Sequence, residues 1–240
     1  ANTYVALILA FLAGMLAGLV TGLFHTALGI PPILAGILTQ LGLYSINMRI
    51  MGKANQAISV MQYDVLVSLR YIPHACLLTT GFCIVIIALL YWFFGTEIGA
   101  SVRATGCNPN MARAQGINTN ATKVLGLVIS NGLVGLAGAL YAQYQGSADI
   151  NMGRGAIVIG LAAVIIGEVV FGKISQNFGF KLFSVAFGAI IYYLVLQVVL
   201  WMGLNSNDLK LLSALVVAVF LAIPYMKGKY FSKPVKRGGA

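Results

Sequence analysis

Seven runs of apolar residues, near 4–28, 32–46, 74–94, 123–144, 156–171, 182–201 and 209–226, alternate with short polar connections along the chain. A helix needs about 20 predominantly apolar residues to cross a hydrocarbon core. Five of the seven runs reach that length, while 32–46 and 156–171 are shorter. The run at 32–46 opens on Pro32 directly after Pro31 and contains Thr39 and Gln40. It is expected to be tilted, broken or partly re-entrant, a form that membranes tolerate only where protein or an aqueous cavity surrounds the backbone. The pattern predicts an all-α fold, a polytopic transmembrane helical bundle of about seven apolar segments forming one domain over residues 1–240.

One connection differs in kind from the others. Residues 95–120 are a polar, charged, helix-compatible island between two long apolar runs, carrying Glu97, Arg103 and Arg113 and divided by Asn108 and Pro109. A Pro in the first turn of a helix, after an Asn able to cap it, predicts a helix-turn-helix lying along the membrane surface. On physical grounds alone the island reads equally as a solvated loop or as a contact surface.

Composition sharpens the class. Residues are 60% hydrophobic and 8% charged, with five acids in 240 residues, so a water-soluble domain would have almost no polar surface to present. The chain is an integral membrane protein. Gly14, Gly18 and Gly22 recur every fourth residue and line one face of the first helix, which favours close helix packing over a place in substrate passage. Cys76 and Cys83 are seven apart on one face of an apolar helix and Cys107 stands alone, so packing explains them better than a metal.

The net charge of +10 comes from basic residues in connections and in the tail at 227–240, an orientation signal with no nucleic-acid-binding patch. If the island, taken to residue 123, is cytoplasmic, single crossings place 172–181 and the tail on the same side. Those three regions hold ten of the fifteen basic residues, Arg103, Arg113, Lys123, Lys173, Lys181, Lys227, Lys229, Lys233, Lys236 and Arg237. The opposite connections hold five, which supports a cytoplasmic island. The same alternation puts Asn2 outside, and one or more helices are expected upstream of Ala1.

Reactive groups are scarce in the spans. A proton- or sodium-coupled carrier places ionisable groups at mid-membrane. The one acid inside a span is Glu168, near a cytoplasmic end, where a local pair with Lys173 or a helix terminus explains it better than a substrate contact. His25 and His74 lie at the ends of different spans with no triad-like or HExxH-like spacing, so intramembrane hydrolysis is poorly supported. The chain lacks a GxxxxGK[ST] phosphate loop. It is expected to be no enzyme, to hold no metal or cofactor, and to draw any ATP energy from a partner.

The run Arg103-Ala104-Thr105-Gly106-x-Asn108-Pro109-x-x-Ala112-Arg113-Ala114-x-Gly116-Ile117-Asn118 resembles the cytoplasmic coupling segment of ABC importer permeases of the branched-chain amino acid and ribose type. Ile30-Pro31-Pro32-Ile33-Leu34 is similar to the IPP-type helix start of the same family. The stretches Leu34–Thr39 and Leu43–Gly52 look closest to permeases of bacterial tryptophan/tyrosine-type uptake systems. The chain departs from the family at 167–173, where Glu168 and Lys173 replace a glycine-rich turn.

The resemblance implies a transmembrane permease subunit of an ATP-driven importer in a bacterial cell membrane, carrying a small solute, an amino acid of aromatic type being favoured. It implies two cytoplasmic ABC ATPases, an extracytoplasmic solute-binding protein, a second and identical permease subunit, and surrounding lipid. Glu97, Arg103, Asn108, Pro109, Arg113 and Gly116 are the residues carried over for ATPase coupling. Thr39, Gln40, Asn131 and Gln143, polar residues in apolar spans, are candidates to line the substrate path, with interhelical hydrogen bonding an equal reading. A secondary carrier and a non-transporting structural subunit are the alternatives from other classes.

Overall fold

The computed structural model describes residues 2–58, 66–67, 72–153, 156–171 and 177–201, together with positions 211, 214, 215, 218 and 222. Among these described residues, eight helices and two short strands have defined bounds, α1 (Thr3–Thr26), α2 (Pro32–Met51), β1 (Asn55–Ala57), α3 (Ile72–Gly95), α4 (Glu97–Cys107), α5 (Pro109–Ala114), α6 (Thr119–Gln145), β2 (Ser147–Asp149), α7 (Ala156–Phe171) and α8 (Phe178–Trp201). Five of the described helices, α1, α2, α3, α6 and most of α8, are long and apolar enough to cross a membrane. The helix α7, with 16 residues, is shorter, as its sequence predicts. The expected seventh span at 209–226, the tail at 227–240 and Lys173 lie largely or wholly outside the described residues.

The second helix differs from its expectation. Instead of a short or broken segment ending near residue 46, α2 is one continuous helix of 20 residues. Pro32 occupies its first turn, where a missing N–H costs nothing, so the prolines start the helix and do not interrupt it. Its polar C-terminal residues remain helical until Gly52, whose φ of 69° gives the left-handed stop.

The chain divides into two compact units, residues 1–153 and 154–240. In the first, α1 runs along α6, α2 packs on α1, and α4 packs on α6. The glycine face predicted for α1 is the contact. A Cβ at Gly14 would run into the Asn131 carbonyl oxygen, and one at Gly18 would lie 2.8 Å from the Val128 Cα. The helix α6 reciprocates: a Cβ at Gly132 would lie 2.8 Å from Cγ of Met15, and one at Gly135 would meet the Ala10 carbonyl. Small residues on both sides let the two backbones touch, which is how helices associate where lipid removes the hydrophobic drive.

The strands add a feature outside an all-α reading. Asn55, Gln56 and Ala57 pair antiparallel with Asp149, Ala148 and Ser147. This ribbon ties the segment after α2 to the segment after α6, so both lie on one side of the unit. The α4–α5 island lies at the other end of α6, a helix of 27 residues that spans about 40 Å.

Few side chains of this unit are buried in the chain itself. Leu7, Ala35, Ala75 and Ile87 are buried, while Leu12, Leu16, Ile84 and Trp92 are among many exposed large apolar residues. Cys76 and Cys83 on α3 and Cys107 on α4 are likewise exposed.

In the second unit α7 and α8 form a hairpin around Ala162, Ile166 and Tyr192. Gly167 and Gly188 mark their closest approach, since a Cβ at Gly188 would lie 2.7 Å from the Gly167 nitrogen. Phe171 packs on Phe187 with ring centroids 5.7 Å apart.

Candidate functional site

The island between α3 and α6 folds as the two short helices that its capping residues encode. Thr96 opens α4, accepting from the Gly99 amide at 3.3 Å and donating to the Phe93 carbonyl at 2.6 Å. Glu97 follows in the first turn, where its carboxylate complements the positive end of the helix dipole. The chain turns sharply here because Gly99 has no side chain: a Cβ would lie 2.9 Å from the Phe93 carbonyl carbon.

Asn108 ends α4 and begins α5. Its Oδ1 accepts from the amides of Asn110 and Met111, both at 3.1 Å, and Pro109 fills the first helical position. Gly116, at φ 82°, closes α5. Its amide donates to the Arg113 carbonyl at 2.9 Å, and the Ile117 amide donates back to the Ala112 carbonyl at 3.0 Å. Asn118 then caps α6 through the amides of Asn120 and Ala121, each at 3.2 Å.

Three buried residues hold this knob to α6. Ala112, Thr105 and Thr119 are each at most 5% exposed. Arg113 donates from Nε to the Thr119 hydroxyl at 2.8 Å, and the Thr105 and Thr122 hydroxyls meet at 2.9 Å. Thr105 also donates its hydroxyl proton to the Ser101 carbonyl at 2.8 Å. The outward surface consists of Glu97, Ile98, Arg103, residues 106–111 and residues 113–116, all exposed. Ile98 and Met111, 58% and 59% exposed, put apolar side chains among the charges. Sequence reasoning missed Thr105, Thr119, Thr122 and Met111. Thr105 stands on the polar α4 and Thr119 and Thr122 in the polar first turn of the otherwise apolar α6, where positions read as solvated, and only tertiary contact distinguishes them.

The four path candidates have separate settings. Thr39 is buried where α2 meets α1: it accepts from the Thr21 hydroxyl at 2.9 Å and donates to the Ala35 carbonyl at 2.9 Å. That is the interhelical hydrogen bond expected as its other reading. Gln40, the next residue, is exposed. Asn131 donates to the Leu127 carbonyl of its own helix at 2.9 Å, beside the glycine seam. Gln143 is buried, with an Oε1 that has no hydrogen-bond partner among the described residues. Asn131 and Gln143 are separated by twelve residues of one helix, about 18 Å. A single small solute therefore cannot touch both at once.

On α7, Glu168 is exposed. Among the described residues no three His, Cys, Asp or Glu side chains come together.

Residues 1–224 match the family described as branched-chain amino acid transport system / permease component. A tyrosine transport system permease protein of Clostridioides difficile is 40% identical over 218 residues, covering 91% of this chain and 72% of that protein. An uncharacterized protein of Rickettsia prowazekii is 34% identical over 222 residues, 90% of this chain and 78% of that protein. A nucleoside ABC transporter permease protein of Lactococcus lactis is 37% identical over 91 residues, 37% of this chain and 29% of that protein. No solved structure matches the chain. With the family profile extending from α1 beyond α8 and five membrane-length helices, the chain belongs to the branched-chain amino acid transport system permease family and is a multi-pass membrane protein of a bacterium.

Proposed function

We propose that the chain is the membrane-spanning subunit of an ATP-driven importer, with α4 and α5 as the cytoplasmic surface that docks on a separate ATPase. The observation that carries this reading is the knob itself. Two capped helices expose Glu97, Arg103, Met111 and Arg113 while Arg113 and Thr105 tie them to α6. A movable partner pushing on such a knob displaces a membrane helix and not merely a loop. Arg103 and Arg113 suit acidic groups or carbonyl helix ends on the ATPase, and Met111 suits a hydrophobic cleft.

Two ATPases, a second copy of this chain and an extracytoplasmic solute-binding protein complete the assembly, with the substrate path on the axis between the permease copies. The cargo is a small amino acid, aromatic in type. The tyrosine transport name of a relative 40% identical supports that class. So does the absence of acidic residues from α1, α2, α3 and α6, since an uncharged, weakly polar path suits a zwitterion handed over by a receptor. Thr39, Gln40, Asn131 and Gln143 are retained as path candidates at different depths.

Purification of the intact complex from the native membrane, followed by reconstitution into liposomes, tests the reading. ATP-dependent accumulation of tyrosine or tryptophan is expected, with a receptor that binds the same amino acid. Uptake that persists without ATP and collapses with an ion gradient would refute it.

A further inference from the structure

Near the α4–α5 knob, two residues 98 positions apart form a contact that the docking surface does not use. His25, in the last turn of α1, and Lys123, in the second turn of α6, are both half-buried. Their side chains meet with Nε2 and Nζ 3.5 Å apart, at the long end of hydrogen bonding. The other ring nitrogen, Nδ1, lies 2.9 Å from the Ile30 carbonyl oxygen. A carbonyl only accepts, so Nδ1 carries the proton, and Nε2 of a neutral ring is left with the lone pair that receives the Lys123 ammonium.

The position of this contact gives it a mechanical meaning. Thr119 and Thr122, in the same first turns of α6 as Lys123, receive Arg113 from α5 and Thr105 from α4. One residue past Lys123, Val124 packs against Gly22 of α1, with its Cα 3.1 Å from where a glycine Cβ would stand. Ile30 precedes Pro31 and Pro32 and so belongs to the turn from which α2 starts. The polar contacts therefore run from α5 to α6, from α6 to His25, and from His25 to the turn that aims α2.

We propose that His25 is the positioning residue that transmits movement of the α4–α5 segment to the α1–α2 turn, and that it does so only as the neutral imidazole. Protonation removes the Nε2 lone pair and sets an imidazolium against an ammonium. Lys123 is the only charged residue on α6, α1 carries no other ionisable group than Tyr4 at its far end, and the one charge on α2, Arg49, is in its last turn. On α5, Arg113 is directed at Thr119. Arg49 and Arg113 share the sign of an imidazolium, as does Arg103 on α4, and the one acid of α4, Glu97, is exposed in the first turn of that helix. Import per ATP hydrolysed is therefore lost as the pH on the knob side falls and regained as it rises.

This inference rests on the importer reading above, and the test separates the two. The complete complex in liposomes, with ATP on the knob side, is assayed for amino acid imported per ATP hydrolysed at mildly alkaline and at mildly acidic pH. The wild-type ratio is expected to fall on acidification. His25→Ala is expected to lower it by about fivefold or more at every pH. His25→Gln, whose amide can donate to Ile30 and accept from Lys123 without titrating, is expected to keep the ratio high and flat. A pH-independent wild-type ratio, a His25→Gln profile that still falls like the wild type's, or an unaltered ratio in His25→Ala overturns the relay while leaving the importer intact. Absence of ATP-dependent import by the wild type at any pH overturns both.

Discussion

Gly18 of α1 lies against the Leu127 carbonyl of α6 with no room for a Cβ between them. The same exclusion recurs one turn away, between Gly14 and Asn131, and from the other side at Gly132 and Gly135. Two helices in backbone contact over several turns move together along that contact, which leaves the end of α1 and the turn into α2, where His25 meets Lys123 and Ile30, to be linked by side chains. In the proposed importer, the glycine seam would be the rigid body on which the α4–α5 knob acts.

Adding a methyl at this seam should separate the helices. Gly18→Ala is expected to destabilise the chain by about 1–3 kcal/mol, the usual cost of overpacking. Gly138→Ala, on α6 with nothing within 4 Å of its added Cβ, is expected to be neutral or slightly stabilising. Thermal denaturation in detergent, followed by size-exclusion fluorescence, compares the two. Equal midpoints would refute the seam.

The cap between α4 and α5 should be separable from the rest of the fold. Asn108→Ala removes the acceptor for the Asn110 and Met111 amides and is expected to cost about 1 kcal/mol locally. Hydrogen exchange across 108–114 should accelerate by about fivefold, and Asn108→Ser should restore most of the protection. Unchanged exchange in Asn108→Ala would show that the cap carries no stability.

Gly116 is held at a positive φ with open space around it, so the cost of a side chain is conformational alone. Gly116→Ala is expected to destabilise the α5 turn by roughly 1 kcal/mol and Gly116→Asn by less, because Asn tolerates the left-handed region better. Exchange at the Ile117 amide, which bonds to the Ala112 carbonyl, reads the difference. An Asn variant worse than the Ala variant would contradict it.

The polarity of the sequence makes some of this legible and hides the rest. Apolar length located α1, α3 and α6, and the pair Asn108 and Pro109 located the break in the island, because length and capping are local properties. The α2 helix ran past its expected end since Asn47 and Arg49 are polar without being helix breakers, whereas Gly52 is one. The ribbon of β1 and β2 left no trace, its strands of three residues being too short for alternation. A periodic glycine face announces that α1 packs closely but not that α6 is its partner. The contact of His25 with Lys123, and the separate settings of Thr39, Gln40, Asn131 and Gln143, depend on long-range pairing that no single stretch encodes.

Sidedness can be read from a native cysteine. Cys107 is exposed in the last turn of α4, and Gln56 is exposed in β1 on the opposite side of the unit. With Cys76 and Cys83 replaced by Ala, Cys107 is expected to resist a membrane-impermeant thiol reagent in intact cells and to react in inside-out vesicles. Gln56→Cys, with all three native cysteines replaced, is expected to behave oppositely. Reaction of Cys107 in intact cells would invert the orientation.

The proposed docking role of Arg113 can be separated from its structural contact with three variants. Its Nε donates to the buried Thr119 hydroxyl at 2.8 Å, which anchors the knob, while the residue is otherwise exposed. Lysine keeps the charge but offers only a terminal ammonium, so Arg113→Lys retains attraction and loses the fixed side-on bond. Thr119→Val keeps the charge and the helix but removes the acceptor, leaving a buried apolar group of similar shape. Arg113→Glu loses the anchor and inverts the charge. If docking depends on charge, Arg113→Glu should release the ATPase during purification, while Arg113→Lys and Thr119→Val still copurify with it. If transmission depends on the anchor, those two should hydrolyse ATP yet import less per ATP, by roughly tenfold. Copurification and coupled import by Arg113→Glu at wild-type levels would remove α5 from the docking surface altogether.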